Sequence, residues 1–317
     1  MKIDWYKAAH HGSKTSNSKE FLEVLQPKLA TISCGRNNSY GHPGKEAVEH
    51  MQDVGAEIFQ TMECGQCFHF QKIDDDEYGM SAYGKFLHAA QKDDKMYLFD
   101  TTKEEFEKIW CHYFDLDRDY GEIKSFLLKE DEKLREAVEK MWGVRILNQE
   151  FFETLISFII SQNKQIPHIK QIVARISHDY GKYQGSVGGI DFYGFPTPQQ
   201  LSQADIDALR ECKTGFRAPY IYNAVEFVNN EIIKEENLRK CGVDECREQL
   251  MKIKGVGMKV ANCVSLFGLG YREAFPVDVW IKRIMQSLYF DGEEHSNAEI
   301  ESYGVEHFGK YGGYAQQ

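Results

Sequence analysis

The spacing of apolar and polar positions divides the chain into stretches of different period. Between about residue 60 and residue 100, short runs at 67–72, 80–83, 86–90 and 96–99 alternate with a period of two, which predicts an antiparallel sheet. From residue 102 onward the apolar positions recur every three or four residues. This predicts helices over 103–114, 130–142, 149–161, 166–180, 202–212 and 219–234. The third carries Phe151, Phe152, Leu155, Ile156, Phe158, Ile159 and Ile160, is apolar nearly all round, and therefore belongs at the centre of a core. The glycine-rich stretch 181–194 reads as a long surface loop, and residues 55–60 read as the last strand of a separate N-terminal fragment.

Two more helical segments, 243–253 and 258–267, flank a turn containing Gly255 and Gly257. Lacking Cβ atoms, these glycines let the chain turn tightly and leave the N–H groups that open the second helix free to meet an anion such as a nucleic-acid backbone. Lys259 lies in that helix's first turn, where the positive end of the dipole disfavours an ammonium, and a neutral amine is a nucleophile. Asp278 follows Pro276 and precedes an apolar-periodic run, which predicts an N-cap. A capped aspartate is fixed and ionised, able to stabilise positive charge developing on a sugar. Alone, the lysine would serve equally well as a phosphate contact, and the aspartate as a plain cap. Together, downstream of a glycine hairpin, they point to chemistry on DNA.

With these residues the chain resembles the helix-hairpin-helix, Gly/Pro-Asp superfamily of DNA glycosylases, and other segments narrow the resemblance to its 8-oxoguanine DNA glycosylase branch. Cys64-Gly65-Gln66-Cys67-Phe68-His69-Phe70 is similar to that branch's Ser/Cys-Gly-Gln-x-Phe-x-Trp strand. Residues 160–169 resemble its Asn-rich turn between helices, Gly215-Phe216-Arg217-Ala218 its Gly-Tyr/Phe-Arg-Ala turn, and Gly312-Gly313-Tyr314-Ala315-Gln316-Gln317 its C-terminal helix. The segments run in family order from about residue 60 to the last residue.

The resemblance implies an α+β fold: a small antiparallel sheet plus a two-lobed helical domain with the active cleft between the lobes. It implies a bifunctional DNA glycosylase/AP lyase that excises 8-oxoguanine in base excision repair. Lys259 would attack the deoxyribose C1′ and form a Schiff base that permits strand cleavage, while Asp278 would stabilise the oxocarbenium-like sugar. Gly65 would offer its carbonyl to the N7–H that oxidation adds to guanine; Gln316 would bond the base's Watson–Crick edge, and Cys263 would pack on its face. Asn163 would fill the vacated space and Phe216 would wedge beside the opposite base, cytosine, read by Arg217 and His168. The hairpin glycines Gly255 and Gly257 would hold the backbone. No cofactor is implied, and the partner is double-stranded DNA met by a monomer. Three positions depart from the pattern: His168 for arginine, Trp280 for histidine, and Lys254 for proline. The family also has an aromatic residue just past the position of Gln317, which predicts a C-terminally truncated domain. A DNA-binding fusion fragment with impaired catalysis, or a glycosylase of broader base specificity, are the competing readings.

Charge adds a qualification. The formal net charge of −11 argues against a protein that coats DNA, but residues 239–290 hold nine basic against five acidic residues. That is a basic face on an acidic body. Eight cysteines in 317 residues do not make a disulfide scaffold, and no cysteine follows Cys263, so the iron-sulfur loop of the related endonuclease III branch is absent. No signal peptide or long apolar run is seen, which predicts a cytoplasmic, nucleoid-associated bacterial protein.

The first sixty residues differ. Ala8-Ala9-His10-His11-Gly12-Ser13 and Gly41-His42-Pro43 resemble the end of a metallo-β-lactamase-fold domain of the kind found in competence DNA-uptake proteins. His10, His11 and His42 would be stranded remnants with no filled metal site, since too few ligands accompany them. The expected organisation is therefore an α/β fragment over 1–61, an antiparallel β subdomain over 62–101 and the helical helix-hairpin-helix domain over 102–317. The abrupt junction, without a linker, predicts a rearranged or fragmentary reading frame.

Overall fold

The computed structural model of the chain describes residues 5–7, 29–32, 58–92, 95–99 and 101–317. His10, His11 and His42, and nearly all of the 1–61 fragment, lie outside the described residues.

The sheet is larger than expected. Strands β1 (Trp5–Lys7), β2 (Leu29–Ile32), β3 (Phe70–Asp74), β4 (Glu77–Ala82), β5 (Lys85–Lys92) and β6 (Lys95–Phe99) form one six-stranded sheet in the order β1-β2-β6-β5-β4-β3. β3 to β6 are the predicted antiparallel meander. β1 and β2 are parallel additions at the β6 edge, with Thr31 opposite Leu98 and Ile32 opposite Phe99. Of the predicted strand at 55–60, the described residues 58–60 instead begin a helix, α1 (Ile58–Glu63). Ile58 and Met62, one turn apart, are both buried against the sheet, so the apolar period there was four rather than two.

Helix α2 opens at a Thr102 capping box (Lys103–Glu105) and continues through a π-helical segment (Phe106–Trp110) into Cys111–Tyr113. It closes the sheet's inner face with Trp110, Tyr113 and Phe114. Two short helices follow, α3 (Tyr120–Glu130) and α4 (Arg135–Lys140); the first was not predicted. Next come α5 (Phe151–Ser161) and α6 (Ile166–Tyr180). All but three of the α5 side chains are buried, as its pattern required.

Residues 181–194 are not a loop. Tyr183–Val187 (β7) and Ile190–Tyr193 (β8) pair as a hairpin closed by Gly188 and Gly189, whose φ values of 60° and 78° are those of a two-residue turn matched to strand twist. The hairpin lies on the sheet. Phe192 occupies the space that a side chain at Gly79 would need, and Phe86 packs over Gly185, with the two phenylalanine rings 4.9 Å apart.

The remaining helices are α7 (Pro198–Leu201), α8 (Ile206–Glu211), α9 (Ala218–Asn229), α10 (Glu235–Leu238), α11 (Val243–Leu250), α12 (Met258–Cys263), α13 (Val279–Tyr289), α14 (Asn297–Phe308) and α15 (Gly312–Gln316). They build two lobes. α5, α6, α9, α11 and α12 share one core, while α13 and α14 pack with Ile123 and Leu127 of α3 in another. Lys259 and Asp278 belong to different lobes. Among the described residues no helix is long and apolar enough to cross a membrane, and no three potential metal ligands converge.

Candidate active site

The hairpin between α11 and α12 demands glycine at its first corner. Gly255 has φ +85°, and a Cβ there would run into the Tyr220 ring. Gly257 is extended and caps α12, whose first internal hydrogen bond is made by Ala261 to the Gly257 carbonyl. The N–H groups before it are the helix's orphan donors. Lys259 emerges here half-buried, its Nζ 5.5 Å from the centre of the Phe158 ring on α5. One turn on, Cys263 is buried, and burial pushes its thiol up to about 11, with Lys259 pulling the other way and Asp278 adding to the rise. A soft, buried thiol thus lies close enough to both side chains to feel each of them.

Asp278 is reached from the other lobe. Phe275 and Val277 are buried anchors; the chain then surfaces, and Asp278 Oδ1 accepts hydrogen bonds from the N–H groups of Trp280 and Ile281, both at 2.8 Å. The carboxylate is therefore held by two donors and remains exposed at the cleft. A groove of 640 Å³ opens beside Lys259, walled by Met258, Val277 and residues of α11 and α14.

The Gly65 loop is fixed by a residue that sequence reasoning passed over. Gln66 is fully buried: its amide nitrogen donates to the carbonyls of Thr61 (2.9 Å) and Arg145 (2.7 Å), and its Oε1 accepts from Leu147 N–H at 2.7 Å. Gln149 in turn donates to the Gln66 carbonyl at 2.7 Å. Gly65, at φ +86°, is thereby presented as a rigid corner. The signal was present in the quoted Cys-Gly-Gln triplet, but apart from Thr61 the partners just named lie about eighty residues further on. The C-terminal helix meets this corner: Gln317 Nε2 approaches the Cys64 carbonyl at 3.4 Å, and the Gln316 Oε1 is buried with no partner among the described residues. Gly313 lets α15 sit against Leu266 and the Arg272 carbonyl, where no larger residue fits.

A third cluster lies on the hairpin's side. Asn163, at φ +49°, tops the turn between α5 and α6, and Gln162 ties that turn to the hairpin by donating to the Gly255 carbonyl at 3.0 Å. Phe216 is 58% exposed, whereas Arg217 is buried and donates to the carbonyls of Gln162 and Asn163. The guanidinium also stacks over Phe216, 4.2 Å from its ring centre. As placed, Arg217 braces the Asn163 turn, and His168, exposed in the first turn of α6, is the more available of the two expected base readers. Met258, Ile166, Val279 and Trp280 are also exposed, giving an apolar margin to this face.

The fold and site have clear relatives. Residues 51–155 match the family model described as 8-oxoguanine DNA glycosylase, N-terminal domain, and residues 156–308 match the HhH-GPD superfamily of base excision DNA repair proteins. A probable N-glycosylase/DNA lyase of Methanothermobacter thermautotrophicus is 30% identical over 68% of this chain and 73% of its own length. The 8-oxoguanine glycosylase/lyase of Clostridium acetobutylicum, solved with double-stranded DNA containing cytosine opposite 8-oxoguanine, is 38% identical with a TM-score of 0.79, covering 83% of this chain and 89% of that one. A third similarity is of another kind: 42% identity over 65 residues to ComE operon protein 3 of Bacillus subtilis, 20% of this chain and 8% of that protein.

Proposed function

The chain belongs to the HhH-GPD superfamily of base excision DNA repair proteins, in the branch carrying the 8-oxoguanine DNA glycosylase N-terminal domain, and from that premise we propose that it excises 8-oxoguanine opposite cytosine and then acts as a lyase. Lys259 Nζ attacks C1′ of the flipped nucleotide as the bond to N9 breaks, and the departing base takes up a proton. Asp278 faces the positive charge on the sugar. Ring opening and loss of the amine proton leave a Schiff base, from which removal of a C2′ proton expels the 3′-phosphate. Gly65 supplies the carbonyl that tells N7–H from N7, Gln316 takes the Watson–Crick edge, and Cys263 packs on the ring. Asn163 and Phe216 keep the duplex open, and His168 faces the orphaned base, with Arg217 bracing the Asn163 turn beside it and reaching the base only if that turn shifts. Such an enzyme works on chromosomal DNA, here in a bacterial cytoplasm.

The observation that carries this reading is the placement of Lys259 in the first turn of α12 and of Asp278 at the cap of α13, on opposite lobes, with the buried Cys263 one turn on from Lys259. Borohydride trapping tests it. A covalent adduct with a duplex holding 8-oxoguanine opposite cytosine is expected in the unaltered chain and absent in Lys259→Gln. Tight binding without any adduct in the unaltered chain would make it a DNA-binding protein instead, and an adduct that survives Lys259→Gln would move the nucleophile elsewhere.

A further inference from the structure

One charged side chain joins the three helices around the Lys259 groove. Arg247, on α11, is only 13% exposed at its side chain. Its NH1 donates to Asn262 Oδ1 on α12 at 3.1 Å and to Glu301 Oε1 on α14 at 2.7 Å, while NH2 meets Asp244. Asn262 is fully buried, stands three residues after Lys259, and has its Nδ2 unpartnered among the described residues. An unsatisfied buried donor is uncommon in folded proteins and calls for a reason, a functional role being one. Glu301 is likewise 13% exposed, and its helix runs through Gly309–Tyr311 directly into α15, which carries Gln316.

We propose that Arg247 is a positioning residue that sets the distance between the nucleophile and the base-holding helix. Its fork registers α12 against α14, so that Lys259 reaches C1′ only when the base lies where Gln316 grips it. Arginine suits this task because its planar, forked donors address two acceptors in fixed directions. A lysine could hold one. The registration matters for excision, where amine and base must be aligned at once. It does not matter for an abasic sugar, which has no base to align.

This rests on Lys259 as nucleophile, and two substrates keep the two claims apart. Arg247→Met is compared with the unaltered chain by single-turnover excision from the 8-oxoguanine duplex and by borohydride trapping on a preformed abasic duplex. Excision is expected to fall about tenfold or more, with abasic trapping within twofold. Glu301→Gln, which keeps an oxygen acceptor but loses the charge, should show a smaller loss of the same kind, and Arg247→Lys should restore part of it. Equal losses on both substrates, or none on either, would overturn the proposal. Far-ultraviolet circular dichroism guards against misfolding, since a variant that fails to fold loses both activities and Glu301→Gln then decides. Absence of adduct on either substrate in the unaltered chain would instead overturn the nucleophile, and the coupling with it.

Discussion

Asp278 combines two tasks that substitution can separate. Its Oδ1 caps α13 through two N–H groups, and in the proposed reaction its charge would face the sugar. Asparagine keeps the oxygen and loses the charge. Asp278→Asn should lower single-turnover excision by about 10²–10³-fold while leaving the thermal midpoint nearly unchanged, whereas Asp278→Ala should also cost about 1 kcal/mol of stability. If Asp278→Asn lowered stability as much as alanine does, the cap rather than the charge would explain its loss of activity. The hairpin before Lys259 and the cap at Asp278 were legible in the sequence because glycines, cap and apolar run are all local signals. The setting of Gly65 was not, because all but one of Gln66's partners named above lie in residues 145–149, across a gap that no local pattern spans.

At the level of elements, the α11–α12 hairpin is the most constrained. Gly255 combines a left-handed backbone with the Tyr220 ring against its α-carbon, and its carbonyl anchors the Asn163 turn through Gln162. Gly255→Ala should therefore cost about 1–3 kcal/mol and weaken binding to duplexes holding a stable abasic analogue, measured by denaturant melts and by anisotropy titration. Unchanged binding would show that the hairpin does not order the neighbouring turn. The long period-based helices α5 and α6 were found because apolar residues, with only a small serine or threonine among them, make up the buried stripe. α3 was missed because one of its four buried positions is Lys124, whose stem packs inward while its amine lies over the Trp142 ring, so the sequence reads as a broken pattern. The hairpin β7–β8 had a legible signal, two glycines between two short runs, that the surrounding glycine and serine content hid.

On the scale of the whole molecule, the sheet and the first helical lobe share a partly buried acidic site whose protonation should bear on stability. Glu150 stands at the N-terminal boundary of α5, where its carboxylate caps no helix N–H but accepts from Tyr83 N–H at 2.6 Å; burial, then the nearby Glu153 carboxylate, pushes its carboxyl from 4.5 up to about 7. The folded state therefore binds this proton more tightly than the unfolded chain does. Its stabilisation is full below about pH 4.5 and is lost as pH rises through about 7. His69 acts in the same sense: burial opposes its charge, yet Glu153 at 3.2 Å outweighs that and holds its pKa above the ordinary value. Between pH 5 and pH 8 the thermal midpoint of the unaltered chain should fall further than that of Glu150→Gln, and parallel curves would refute the assignment. The interlocked phenylalanines and glycines of the hairpin and sheet carry a different consequence. Phe192 cannot leave Gly79 without uncovering Phe86, so β4, β5 and the hairpin must open together although about a hundred residues of chain separate them. Their amide protons should exchange with solvent at one shared free energy, making the sheet and the far end of α6 a single cooperative unit on which both the Gly65 corner and the Asn163 turn are mounted.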